Sequence, residues 1–191
     1  ASGGSKWAAF DNAHRPSTVS SGEFKPSCGT GFYGRMWVGG VAESKDILYY
    51  SSLLDADDFR TTSENSASNG GFISLRSVWG TDEIISIAPF YGQLVIFGKN
   101  NIVIYSNPSS ISNMALNEVI KGVGCVARDS IQSIGDDLIF LSSTGLRSLA
   151  RTSEKDKVPL IDYSVNIKDT LIRNIGQSTA VKSSYIENEG I

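Results

Sequence analysis

The sequence predicts a mainly β chain in which antiparallel hairpins lie side by side as propeller-like blades, with one short helix. Three observations predict it. One pattern, two apolar runs about a short polar turn, occurs three times along the chain. The runs are rich in β-branched and aromatic residues and too short for stable helices. Several of them, LVIF and LIFL above all, are apolar without alternation, which requires cover on both faces of the strand.

Residues 1–31 carry no such pattern and are expected to form an irregular or extended N-terminal segment. The first copy of the repeat follows, YGRMWVGGVAESKDILYYSS from Tyr33 to Ser52, with VAESKD as a longer connecting loop. The second, YGQLVIFGKNNIVIYSN, runs from Tyr91 to Asn107 and turns at GKNN. The third, GDDLIFLSSTGLRSLAR, runs from Gly135 to Arg151 and turns at SSTG. Both short turns hold residues that tolerate positive φ or cap a tight reversal. Further strands are expected in FISLRSVW (Phe72–Trp79), EIISIAPF (Glu83–Phe90) and ARDSIQSIG (Ala127–Gly135).

Starts at residues 33, 91 and 135 are spaced near the 40–50-residue period of propeller blades. The polar insertion TTSENSASNG, read as a surface loop, stretches the first gap. Blades of a partial propeller are therefore expected over 32–158. A single hairpin of some 17 residues buries about 6–12 kcal/mol of apolar side chain, less than the cost of ordering its backbone, so the units must stack. Over 159–191 we expect a helix and the start of a further strand. Ile161, Val165, Ile172 and Ile175 fall near a helical stripe, with Asp162 or Ser164 suited to cap its start and Gly176 its end. The pattern AVKSSYIENEGI then alternates to Ile191, and with Ala as the first residue it leads us to expect neighbours beyond both ends.

Composition narrows the function. The formal net charge is −3, and Lys and Arg are scattered singly, with only the stretch from Arg147 to Lys157 mildly basic, so tight nucleic-acid binding is not expected. No apolar run approaches the roughly 18 residues of a membrane span, and the N-terminus lacks the pattern of a secretion signal. Cys28 and Cys125 are far apart without a CxxC partner, and read by default as small buried hydrophobes, with a disulfide between them as the lesser reading.

Candidate chemistry is thin. Gly29, Gly31 and Gly34 spell GxGxxG, but a dinucleotide site sets that motif between a strand and a helix, whereas RMWVGG reads as strand. Asp55, Asp57 and Asp58 lack the glycine and distal glutamate of a calcium loop and read as a capped turn, and Thr81–Glu83 as a solvated turn. His14 is the only histidine, which excludes multi-histidine metal sites. We expect no catalytic, cofactor-binding or metal-ligating residues. Trp7, Trp37 and Trp79 are the one alternative: exposed, they would make a sugar platform and point to a carbohydrate-binding or carbohydrate-active propeller.

GRMWVGG, DILYYSSLLDADDF, IISIAPFYGQLVIFGKNNIVIYS and GVGCVARDSIQSIGDDLIFLSSTGLRSL, in that order, resemble the propeller region of tail nozzle (tail tubular) proteins and related DNA-stabilisation tail proteins of short-tailed, podovirus-type phages. The resemblance covers Phe32 to Leu149. It implies a structural virion protein of the phage tail that forms a ring, commonly a hexamer. Such a ring stacks below a tail adaptor, carries fibre proteins outside, and passes genomic DNA without sequence-specific binding or membrane insertion. It implies no enzymatic residues and no cofactor. The chain departs from that family in being much shorter. A repeat adaptor that binds only proteins is a third reading.

Overall fold

The computed structural model describes residues 15–20, 23–60, 68–149, 164, 166–177 and 181–185. It is mainly β, with three antiparallel sheets and two short helices among those residues. Sheet 1 is a meander of β1 (Cys28–Phe32), β2 (Arg35–Gly39), β3 (Ile47–Tyr50) and β4 (Gly71–Ser74). A single helical turn, α1 (Arg76–Trp79), leads into sheet 2, the meander β5 (Ile84–Phe90), β6 (Gln93–Gly98), β7 (Asn101–Ser106) and β8 (Ala115–Lys121). Sheet 3 has β9 (Gln132–Ile134), β10 (Asp137–Ser142) and β11 (Gly145–Ser148), and α2 (Lys168–Gln177) follows.

The three expected hairpins are present as β2–β3, β6–β7 and β10–β11. Sheet 2 is the middle layer. Its strands β6 and β7 pair Leu94 with Tyr105 and Ile96 with Val103 on one face, Val95 with Ile104 and Phe97 with Ile102 on the other. The first set packs with Cys28, Trp37 and Leu48 of sheet 1, the second with Leu138 and Phe140 of sheet 3. The Phe97 and Phe140 rings meet at 5.1 Å between centroids. Because successive strand residues point to opposite faces, a sheet covered on both sides loses its alternation, which is why these runs read as continuously apolar. The outer face of sheet 1 is covered by Val19, Phe24 and Phe59, which pack on Val38 and Tyr49. The described sheets do not close into a ring.

Gly39 sets the spacing of the first two sheets. A Cβ there would lie 2.8 Å from Ile84 Cγ2, so the end of β2 can reach the start of β5 only without a side chain. Phe72–Trp79, expected as a strand, divides into β4 and α1. One helical turn places Leu75 and Trp79, four residues apart, one above the other in the core between sheets 1 and 2, closer together than the same face of a strand would set them. Gly80, at φ 81°, ends the turn by donating to the Arg76 carbonyl.

In Ala127–Gly135 only Gln132–Ile134 is strand, preceded by a 3-10 turn over Arg128–Ser130. Two strands had no counterpart in the sequence reading: β8, and β1, which lies mostly within the segment expected to be irregular or extended. The C-terminal helix is shorter than expected. Ser164 precedes α2 rather than capping it, and its Oγ accepts from the Leu146 N–H of β11. Ile172 is exposed rather than seated on a stripe. Val181–Tyr185, where alternation suggested a strand, is irregular, with Ser183 N donating to the Asp129 carbonyl. Ile161, Asp162 and Val165 lie outside the described residues, as do the side chains of Ile175 and Gly176.

Candidate functional site

Where β1, β5 and β9 begin, the inter-strand connections gather into two adjoining clefts that share Lys45 and Glu83. The first, about 400 Å³, lies among Lys45, Asp46, Arg76, Asp82, Glu83 and Lys99. The second, about 360 Å³, runs inward past Ser27, Gly40, Ile84 and Arg128. Here the inner edges of all three sheets converge. Arg128, just before β9, donates through Nη1 to the Ser27 carbonyl at the head of β1, and Ile84 N donates to the Lys45 carbonyl at 2.9 Å.

The charges in the cleft are paired. Glu83 takes Lys45 Nζ at 2.9 Å and Lys99 Nζ at 3.8 Å, and Asp46 takes Arg76 Nε at 3.3 Å. These cations are more than half exposed, so each pair contributes about 0–1 kcal/mol. Asp82 has another role. Its buried carboxylate accepts from Asn100 N at 2.9 Å, Asn101 Nδ2 at 2.7 Å and Glu83 N at 2.9 Å, fixing the β6–β7 turn. Thr81–Glu83 is thus not the solvated turn the sequence suggests, because the GKNN turn closes over its middle residue. The signal for this was slight: an Asp facing two asparagines from eighteen and nineteen residues away.

Arg35 was another residue missed. Buried at the start of β2, it donates through Nη1 to the carbonyls of Ser51 (2.6 Å) and Asn69 (2.9 Å) and lies over the Tyr50 ring at 5.4 Å. It therefore joins the two ends of the β3–β4 connection.

No protein-family model matches this chain, and no curated protein does.

The other residues singled out by sequence fall in separate places. Gly29 and Gly31 lie within β1, and Gly34 in the β1–β2 turn, followed by a strand rather than a helix N-terminus. Asp57 N donates to Asp55 Oδ1, and Asp58 binds Arg60 through Nε at 2.8 Å, so the acidic run is a capped turn. That bond with Arg60 holds the Asp58 carboxyl below its usual range. Among the described residues no group of three or more His, Cys, Asp or Glu is placed to hold a metal, and no helix is long and apolar enough to cross a membrane. His14, Trp7 and Arg151 to Lys157 lie outside the described residues.

Trp37 and Trp79 are both core. The Trp37 indole donates to the Phe32 carbonyl at 3.2 Å, and neither ring is available as a platform for a sugar. Cys28 and Cys125 are free and buried, in cores on opposite faces of sheet 2. Burial pushes the Cys28 thiol up to about 12.

Proposed function

We propose that this chain is a structural part of a phage tail, a run of propeller blades from a ring-forming nozzle or tubular protein that lines the conduit for DNA ejection. The observation that carries the reading is the middle sheet, apolar on both faces and packed between two further antiparallel sheets whose inner edges converge. Stacked meanders of this kind are how a propeller arranges its blades. Here the finer architecture would be completed by additional sheets from the same polypeptide or from its neighbours in the ring.

The charge supports the reading from another side. At a formal −3, with the cations of the cleft already paired to carboxylates, the chain offers few phosphate contacts, and a conduit must let DNA slide. Its partners would be further copies of itself, commonly six, a tail adaptor above and fibre proteins outside. The carbohydrate-binding alternative lacks support from Trp37 and Trp79, which are interior.

The test is direct. An antiserum raised against the chain should decorate virion tails in electron micrographs, and the complete gene product should sediment as a ring-sized oligomer. A complete product that stays a monodisperse monomer at high concentration, or virions that do not react with the antiserum, would overturn the proposal.

A further inference from the structure

The opposite end of the stack carries a different surface. The tripeptide Phe-Tyr-Gly occurs twice, at 32–34 and at 90–92, and each copy makes the turn between the first two strands of its sheet. Tyr33 and Gly34 have φ of 48° and 71°, Tyr91 and Gly92 of 46° and 73°, the two-positive pattern of a type I′ turn. That turn favours Asn, Asp or Gly at its first central position, and a tyrosine there is strained. Leu54, at φ 61°, is a third bulky residue in the same strained region.

These three residues share one surface. Leu54 N donates to the Gly34 carbonyl at 2.7 Å, the Tyr33 hydroxyl lies 3.4 Å from where a side chain on Gly92 would begin, and Tyr91 reaches the Asp136 carbonyl at 3.4 Å. Together with Leu53 they are well exposed: Leu54 86%, Tyr91 68%, Tyr33 49% and Leu53 44%. Tyr33 and Tyr91 each keep one neighbouring ring, Phe32 at 4.3 Å and Phe90 at 4.5 Å between centroids, and otherwise turn large apolar surface outward from a strained backbone.

The charges placed against the patch are acidic. Asp136 accepts from the Tyr91 hydroxyl through its carbonyl and is followed by Asp137, and the exposed Asp55 follows Leu54. The phenol of Tyr91 is pushed up from its ordinary range by desolvation and then by Asp136 and Asp137. An aromatic surface with a carboxylate rim is complementary to guanidinium groups, which stack within about 6 Å of a ring while pairing with acid.

We propose that Tyr33, Leu53, Leu54 and Tyr91 form a docking surface for an arginine-bearing apolar segment of a partner protein, with Asp136 and Asp55 as its anionic rim. This goes beyond the tail reading and stands without it. Tyrosine and arginine are, with tryptophan, the residue types enriched among those that carry most of the binding energy at protein interfaces.

The test uses a fluorescein-labelled peptide alternating arginine with leucine, and a control with glutamate for arginine, titrated against the whole chain by anisotropy. The arginine peptide should bind and the glutamate peptide should not. The Tyr33→Asn/Tyr91→Asn double variant should lose tenfold or more in affinity with an unchanged or raised melting temperature, since asparagine suits the turn better. Leu54→Asn should lose affinity likewise, and Asp136→Asn should lose severalfold and weaken the salt dependence. Equal binding by wild type and double variant, equal binding of the two peptides, or no binding by the wild type would overturn the proposal. So would a Tyr33- and Tyr91-dependent interaction with a glycan, or with a second copy of the chain, that the arginine peptide does not compete.

Discussion

Asp82 shows how much a single side chain can decide in this fold. Buried at the wall of the first cleft, it holds a backbone N–H of the β6–β7 turn and the side chain of Asn101. Asp82→Ala removes the charged acceptor that these partly exposed donors share, and should cost about 1.5–3 kcal/mol in urea unfolding, the range of a hydrogen bond to a charged group. The Asp58–Arg60 pair is weaker because Arg60 is half exposed and water screens it. Its sign is fixed by the depressed carboxyl: the contribution is full above the ordinary aspartate value, about pH 4, and disappears as pH falls through the folded one. Stability curves of wild type and Asp58→Asn should therefore differ at pH 7 and converge in acid. A gap that stays constant with pH would assign the difference to something other than the charge.

At the scale of the element, legibility followed burial. The hairpins β2–β3, β6–β7 and β10–β11 could be read from their turns and apolar runs, and in β6, β7 and β10 four consecutive residues are both buried and apolar. Outer strand β8 escaped notice because Ala115, Leu116 and Asn117 are exposed and its hydrogen bonds to β7, not its side chains, hold it in place. With two glycines in five residues, β1 has little strand propensity of its own and is ordered by its register with β2. Helical turn α1 shows a different failure: FISLRSVW fits a strand and a short helix equally, and only the shape of the core selects the turn. Phe97→Ala should accordingly cost about 3–5 kcal/mol, since both Phe140 and the inter-sheet core lose contact. Leu116→Ala, on the exposed strand, should fall within about 0.5 kcal/mol, and chemical unfolding of the two variants compares them directly. The candidate site was less legible than the fold, because the clefts, Arg35 and the tyrosine turns depend on residues brought together from separate loops.

For the molecule as a whole, the two thiols are placed to report on its cooperativity. Cys28 sits in the core between sheets 1 and 2, Cys125 in the core between sheets 2 and 3, and desolvation raises both. Neither should react with an alkylating reagent in the native state, where the thiolate is scarce. If the sheets open as one unit, both should become labelled across the same range of urea, as followed by intact mass. Labelling of one well before the other would show that one inter-sheet core opens alone.

The middle sheet has a consequence for how the gene can vary. A strand with one wet face tolerates replacement at every second codon, and so drifts at half its positions. From Leu94 to Phe97 and from Ile102 to Tyr105 there is no such holiday position, since each residue belongs to one core or the other. A saturation library selected for folding should thus show an unbroken block of intolerance through β6 and β7, flanked by a permissive start of β8 at Ala115–Asn117.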